Sequence, residues 1–203
     1  MRAHILYALL WASFGIGHSL LADARVKARL KPFFGAGYRL AYNLFAALHI
    51  LAVVGAGAWL LRDAAPFALP TALKIVQWAL LGAGAGIFLV ALAEYDLPRL
   101  IGTAQIKAAR AGKVLDDEEA LRTGGLHRYV RHPLYAGGFA VLWGRVADEA
   151  TLATALWASL YLLIGTYAEE RRLMARFGEA YARYRARVPA FVPWRGRAFT
   201  PPE

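Results

Sequence analysis

The sequence contains no cysteine and has few acidic residues. The absence of cysteine from its 203 residues excludes disulfide bonds, thiolate metal sites and a cysteine nucleophile. Asp and Glu number 14 against 24 Lys and Arg, which leaves a formal net charge of +10. Charged residues make up 19% of the chain and hydrophobic residues 59%, against about 25% and about 45–50% in a soluble domain. This composition excludes a disordered chain and argues against an ordinary soluble core.

The hydrophobic residues are concentrated in four long blocks and one short block. The long blocks are 4–22, 38–61, 71–93 and 151–167, and the short block is 135–146. The second and third exceed the roughly 20 residues that a membrane-spanning helix needs. We expect the short block to form a helical hairpin with the last one, tilted or shielded by protein. The sequence predicts one all-α membrane domain over 1–203, with about five spans, three of them within 1–93.

Basic residues occur in alternate connections between these blocks. The segment 23–39, which joins the first two blocks and includes the start of the second, holds five Lys and Arg, the connection 94–133 holds seven, and the tail holds eight Arg. The segments 62–70 and 147–149 carry few. By the positive-inside rule, the N-terminus lies outside and the C-terminus in the cytoplasm. We expect a protein of the bacterial inner membrane, with the bilayer as partner. We predict no nucleic-acid partner, because the basic tail is tethered to the membrane.

Two features of the apolar blocks have alternative interpretations. The first block, followed by small residues at 22–24, is also similar to a signal peptide, although His18 lies within it. Gly82, Gly84 and Gly86 form a weak glycine-rich pattern. Because no strand precedes them, we predict close helix packing rather than nucleotide binding.

A polar segment, 123–138, precedes and enters the short apolar block. It includes the consecutive residues Arg131, His132, Pro133, Leu134 and Tyr135. Pro133 lacks an N–H group and pushes the preceding residue toward an extended conformation, so a helix must begin here. Helix N-termini favour anions. The segment predicts either a ligand site or a plain interfacial loop, with Arg for lipid phosphates and Tyr for the aromatic belt.

Two adjacent carboxylates, Glu169 and Glu170, follow the last apolar block. Carboxylates at a membrane border are costly unless they are paired or hydrated. They either pair with arginines, hold hydroxyl or amino groups of a ligand, or simply end a solvated helix. Beyond them, the pattern of 172–187 predicts an Arg-rich amphipathic helix on the inner leaflet, which ends before Pro189.

These segments carry a family resemblance. They are Arg131-His132-Pro133-Leu134-Tyr135-Ala136-Gly137, Glu169-Glu170-x-x-Leu173, Phe177-Gly178-Glu179-x-Tyr181-x-x-Tyr184 and Val188-Pro189. In this order and spacing the chain resembles the isoprenylcysteine carboxyl methyltransferase superfamily over 117–194. The N-terminal half is similar to its methanethiol S-methyltransferase and NnrU branch, through 14–19, 38–43 and 95–97.

The resemblance implies an integral-membrane methyltransferase that uses S-adenosylmethionine and binds it within 94–203. The implied cofactor contacts are His127, His132, Pro133, Leu134, Tyr135, Glu169 and Glu170, with a contribution from 119–122. Relatives usually have Tyr at the position of His127. The prenylcysteine enzymes have a substrate-holding Arg where this chain has Gly165. The departure argues against a prenylcysteine and favours a small or lipophilic acceptor, with a thiol preferred.

The implied reaction needs neither a metal nor an enzyme nucleophile, so we predict no metal site. Arg131, assigned a catalytic role, and His132 are expected to hold the carboxylate of the donor. A thiol needs only modest help to ionise, and His18, the second predicted catalytic residue, or His49 could supply it. The alternative is an NnrU-like haem protein linked to nitrogen-oxide metabolism or isomerase chemistry, with His18 and His49 as axial ligands.

Overall fold

The computed structural model describes residues 1–115 and 120–194, and in these ranges all regular structure is helical. Eight α-helices follow in order: α1 Arg2–Ala22, α2 Ala24–Phe34, α3 Tyr38–Leu60, α4 Thr71–Ala93, α5 Leu97–Ile101, α6 Thr103–Arg110, α7 Pro133–Gly144 and α8 Glu149–Arg187. Short 3-10 turns occupy Gly35–Gly37 and Gly125–Arg128. The chain divides into two compact units, Met1–Ala64 with Asp96–Glu118, and Ala65–Tyr95 with Glu119–Glu203.

The prediction of an all-α membrane protein is confirmed. Four helical stretches are long and apolar enough to cross a bilayer: Arg2–Ala22, Ala24–Leu60, Thr71–Ala93 and Glu149–Arg187. Their exposed large hydrophobic side chains, such as Trp78 at 71% exposure, match a lipid environment rather than water. The short helix α7 has 12 residues and a length of about 18 Å, which is less than the roughly 30 Å hydrocarbon core.

The N-terminal unit contains α1, α2, α3, α5 and α6. Asp23 separates α1 from α2 and caps the latter, because its carboxylate accepts hydrogen bonds from the backbone of Arg25 (2.9 Å) and Val26 (3.3 Å). In α3, a side chain at Gly57 would collide with the buried ring of Tyr7, so this glycine permits the close approach of α1 and α3. The amphipathic helix α2 and the short helices α5 and α6 were not part of the sequence-based prediction.

The C-terminal unit is built on a close crossing of α4 and α7. A Cβ atom added at Gly84 would lie 2.7 Å from the Ala140 Cβ and 2.9 Å from the Gly137 carbonyl oxygen. Gly82 and Gly86 have open space around them. Of the three glycines predicted to serve helix packing, Gly84 therefore has that role. Since α7 is held against α4 by backbone proximity, it is shielded by protein as expected for so short an apolar helix.

Helix α8 combines the last apolar block with the predicted amphipathic helix. Its start is fixed by a capping box, in which Asp148 and Thr151 each bond the other's backbone N–H. Trp143 of α7 donates a hydrogen bond to Ser159 (3.1 Å), which completes the predicted hairpin. Gly178, at φ 51° and ψ −126°, kinks the helix in a conformation that disfavours side chains. Beyond the kink, Tyr181 and Tyr184 are buried.

The apolar face of the kinked segment is covered by the chain itself. Tyr181, Tyr184 and Val188 form a buried cluster with Leu121, Leu173, Met174 and Phe177. We predicted that this segment would lie on the inner leaflet as an amphipathic helix. The structure shows that Tyr181 and Tyr184 pack within the C-terminal unit, so this unit itself covers part of the apolar face of the segment.

Candidate functional site

The segment before α7 is fixed by backbone hydrogen bonds to the chain that follows α8. His132 is the N-cap of α7 and Pro133 its first residue, as the proline position predicted. The backbone N–H groups of Arg131 and His132 donate to the carbonyl oxygens of Pro189 (2.9 Å) and Ala190 (3.0 Å). The proline break and the tail after α8 therefore form one piece of structure, which positions the Arg131 and His132 side chains.

Glu170 lies at the centre of a charged cluster. Its side chain is 11% exposed and accepts hydrogen bonds from Arg131 Nε (2.9 Å) and His132 Nε2 (3.2 Å), with Arg185 Nε at 3.3 Å. The acceptor positions of the Glu170 carboxylate are thus occupied by side chains of the protein.

Arg131 is equally engaged. Besides Glu170, its guanidinium donates to the carbonyl oxygens of Val188 and Arg185, the latter at 3.3 Å. These bonds join the proline break, the twin glutamates and the end of α8. The structure thus brings together the two separate sequence regions in which chemistry was predicted.

Glu169, in contrast, presents a carboxylate to the surroundings. Its side chain is 37% exposed, lies 3.7 Å from His132 Nδ1 and is hydrogen-bonded to the side chain of Tyr135. The buried imidazole of His132 lies beside two aromatic rings: Tyr135 stacks on it with an interplanar angle of 10°, and the Phe191 centroid lies 5.8 Å away. Glu169, His132 and Tyr135 together form an acidic, ring-lined cluster in which the Glu169 carboxylate is partly exposed.

His127 lies next to Glu94, a residue that the sequence analysis did not select. The Glu94 carboxylate accepts from the Leu126 backbone (2.8 Å) and lies 3.3 Å from His127 Nδ1. Gly125 makes this possible, since its φ is +53° and any Cβ there would overlap the Glu94 carboxylate. Burial lowers the pKa of His127, and the bond to Glu94 offsets this only in part, so the imidazole is held neutral.

Two further contacts complete this side of the site. Arg122 lies over the ring of Tyr95 at 4.5 Å and donates to the Glu94 carbonyl oxygen (2.5 Å). The buried Tyr184 hydroxyl donates to the His127 carbonyl oxygen (2.6 Å). Of the predicted segment 119–122, Arg122 therefore lies at this side of the site, while Glu119 lies outside the described residues.

Sequence reasoning missed Glu94 and Arg185. Glu94 ends the third apolar block, so the argument applied to Glu169 and Glu170, a carboxylate at a membrane border, would have selected it. Arg185 is one of many arginines in the tail and carried no distinguishing signal. The other predicted residues of this unit, Pro133, Leu134 and Tyr135, form the first turn of α7.

The two intramembrane histidines belong to the N-terminal unit. His18 Nε2 lies 2.6 Å from the Tyr42 hydroxyl, and His49 Nε2 lies 3.1 Å from Ser13 Oγ. The Phe14 ring contacts both imidazoles, with centroid separations of 5.7 and 5.5 Å. Each Nε2 atom is thus occupied by a hydroxyl group. The catalytic role of His18 stays a prediction.

No metal site is apparent in residues 1–115 and 120–194, where no group of three or more His, Asp or Glu side chains could hold an ion.

Comparison with known proteins gives matches over most of the chain. Methanethiol S-methyltransferase 1 of Bradyrhizobium diazoefficiens is 30% identical over 96% of this chain and 68% of its own length. Methanethiol S-methyltransferase 2 of the same organism is 33% identical over 95% of this chain and 74% of its own. A protein-S-isoprenylcysteine O-methyltransferase of Schizosaccharomyces pombe is 34% identical over 37% of this chain and 34% of its own. No family profile and no solved structure matches the chain.

The helical bundle and these relatives define the class of protein as an integral-membrane enzyme that transfers methyl groups. The chain belongs to the isoprenylcysteine carboxyl methyltransferase-like superfamily, and within it is similar to the methanethiol S-methyltransferases.

Proposed function

We propose that this enzyme transfers a methyl group from S-adenosylmethionine to a small thiol of the size of methanethiol. The observation that carries the proposal is the meeting of the proline break with the twin glutamates, where Glu170 is surrounded by protein donors and Glu169 is partly exposed. The names of the relatives supply the thiol. We place the chain in a bacterial inner membrane, with the site on the cytoplasmic side.

The residues of this site fit the proposed methyl donor. When bound, S-adenosylmethionine supplies a methyl group already activated on a positively charged sulfur. The Glu169 carboxylate is suited to ribose hydroxyls or the amino group, and the half-buried ring of Tyr135, which the buried His132 imidazole supports from one side, is suited to a flat, cationic ligand. Leu134 and Pro133 adjoin these rings at the start of α7 and exclude water.

The two glutamates have different roles in this proposal. Glu170 and Arg131 satisfy each other and fix the tail after α8, so we assign them as positioning residues rather than direct contacts of the donor. Glu169 contacts the donor. His127, held neutral beside Glu94, orients the turn that borders the site.

The acceptor thiol must lose a proton before or during transfer. A cysteine thiol has a pKa of about 8.5, and a simple alkyl thiol is a weaker acid, so the proton needs a hydrogen-bonding base to accept it. His18, with its Nε2 against the Tyr42 hydroxyl, is the proposed base because this hydroxyl can relay a proton. We do not propose the haem alternative, because the relatives that match most of the chain are named methyltransferases.

The test combines binding and turnover with a matched control. Calorimetry should show that Glu169→Gln weakens S-adenosylhomocysteine binding at least tenfold, about 1.4 kcal/mol. Glu179→Gln removes the same charge from α8 at a side chain that is 93% exposed, and should leave affinity unchanged. Gas chromatography should detect dimethyl sulfide when methanethiol is supplied. Equal affinities of all three proteins would remove Glu169 from the site, and no dimethyl sulfide would overturn the thiol assignment.

A further inference from the structure

Glu94 holds the 3-10 turn Gly125–Arg128 against the end of α4. Its side chain is 26% exposed, and one carboxylate oxygen accepts a hydrogen bond from the Leu126 backbone N–H at 2.8 Å. The other oxygen lies 3.3 Å from Nδ1 of the buried His127 imidazole. Each oxygen of Glu94 thus engages a different group of one short turn, although the proposed transfer gives this carboxylate no step of its own.

The contact with Glu94 determines which nitrogen of the His127 imidazole carries the proton. A carboxylate oxygen only accepts hydrogen bonds, so Nδ1 must be the donor in this contact. Burial lowers the pKa of His127, and a neutral imidazole has a single N–H group. Nε2 therefore keeps its lone pair and is a hydrogen-bond acceptor.

The Nε2 atom of His127 has no partner in the described part of the protein. In residues 1–115 and 120–194 no side chain or backbone group forms a hydrogen bond with it. The ring of Tyr95 lies beside the imidazole, with the two centroids 6.1 Å apart, and Arg122 and His132 act on it electrostatically. Because His132 belongs to the proposed donor site, this unpartnered acceptor lies beside that site.

We propose that Glu94 is a positioning residue of the donor site, which fixes the His127 tautomer so that Nε2 accepts a hydrogen bond from the methyl donor. The inference rests on the proposed function, because it needs a ligand with N–H or O–H groups at this site. S-adenosylmethionine has both, in its amino groups and its ribose hydroxyls. Glu94 itself does not touch the donor and acts through His127.

Glu94→Gln reverses this arrangement without a change in the size of the side chain. The backbone N–H of Leu126 only donates, so the amide oxygen of the glutamine must face it. The amide NH₂ group then faces Nδ1 of His127, which must become the acceptor, and the imidazole proton moves to Nε2. Nε2–H would point at an N–H or O–H group of the ligand, and this mismatch should weaken S-adenosylhomocysteine binding at least about tenfold.

Solid-state nitrogen-15 NMR of the full chain in liposomes reads the tautomer without any ligand. The chain has five histidines, and the resonances that disappear in His127→Asn belong to His127. At neutral pH we expect the proton on Nδ1 in the wild-type protein and on Nε2 in Glu94→Gln. The same tautomer in both proteins would overturn the proposal, and this result does not depend on the proposed function.

A double-mutant cycle, measured by calorimetry with S-adenosylhomocysteine, separates positioning from a structural role. His127→Asn removes Nε2, so Glu94→Gln should weaken binding less than about twofold in that background, against at least about tenfold in the wild-type protein. Glu179→Gln removes the same charge at a side chain that is 93% exposed and should leave affinity unchanged.

Equal losses from Glu94→Gln in the two backgrounds would show that Glu94 only supports the fold, and would overturn the proposal. A wild-type protein that binds no S-adenosylhomocysteine would instead overturn the proposed function and the ligand assigned to Nε2. The reversal of the tautomer would still support Glu94 as the residue that positions His127.

Discussion

The charged cluster around Glu170 makes a strong prediction about stability. Glu170→Gln keeps the shape of the side chain but removes its charge, which leaves the Arg131 guanidinium, 11% exposed, without its counter-ion. Breaking a buried ion pair by removing one partner costs about 3–5 kcal/mol. The glutamine amide oxygen still accepts one hydrogen bond, and Arg131 keeps its bonds to backbone carbonyl oxygens. We therefore expect Glu170→Gln to lower the free energy of unfolding by about 2–3 kcal/mol. Arg185 adds little because it is 51% exposed.

Thermal unfolding of the detergent-solubilised protein measures this loss. For a chain of this size about 1 kcal/mol corresponds to about 2–4 °C, so Tm should fall by roughly 4–12 °C. Glu169→Gln, at a carboxylate that is 37% exposed, should lower Tm by less than about 3 °C while it weakens donor binding.

A double-mutant cycle tests the physical reason. Arg131→Met removes the unpaired charge, so the combination of Arg131→Met and Glu170→Gln should be less destabilised than the sum of the single variants by at least about 1 kcal/mol. If the two losses add without coupling, or if Glu169→Gln destabilises as much as Glu170→Gln, then the buried pair is not what holds the tail and our division of roles between the glutamates is wrong.

Three further predictions follow from contacts described above. Gly84→Ala should destabilise the protein by about 1–3 kcal/mol, because the added Cβ would collide with Ala140 and the α7 backbone. Gly86→Ala, whose Cβ would enter open space, should not destabilise it in this way, and thermal unfolding of the two variants makes the comparison. Burial lowers the pKa of His127 below its ordinary 6.5, so the unfolded chain takes up this proton at a higher pH than the folded chain. The free energy of unfolding should therefore decline as the pH falls below about 6.5. His127→Asn should flatten that part of a plot of Tm against pH. Since the chain has no cysteine, a single introduced cysteine reports the side of the membrane on which its loop lies. In spheroplasts a membrane-impermeant maleimide should label Ala68→Cys and should not label Ala111→Cys. The reverse pattern would refute the proposed orientation.

The apolar blocks predicted the spans closely because hydropathy and length decide what crosses a membrane. The block 71–93 coincides with α4, and 38–61 differs from α3 by one residue. Helices α2, α5 and α6 were not predicted, since each is short and polar and depends on local caps such as Asp23 and Asp96. Such caps are weak signals in a sequence without a hydrophobic period.

The candidate site was predicted in part. Pro133 defined the start of α7, and the chemistry of adjacent carboxylates drew attention to Glu169 and Glu170. Their unequal environments could not be read from the sequence, because the difference arises from Arg131 and Arg185, which reach Glu170 and not Glu169 only in the folded chain.

The bonds from the Arg131 and His132 amides to Pro189 and Ala190 also set an order of assembly. These donors are synthesised more than fifty residues before their acceptors, so a growing chain can insert all its apolar helices before these two bonds have formed. Activity should therefore appear only after the segment beyond α8 has left the ribosome and folded back, and any truncation upstream of Pro189 should yield a membrane-inserted but inactive protein.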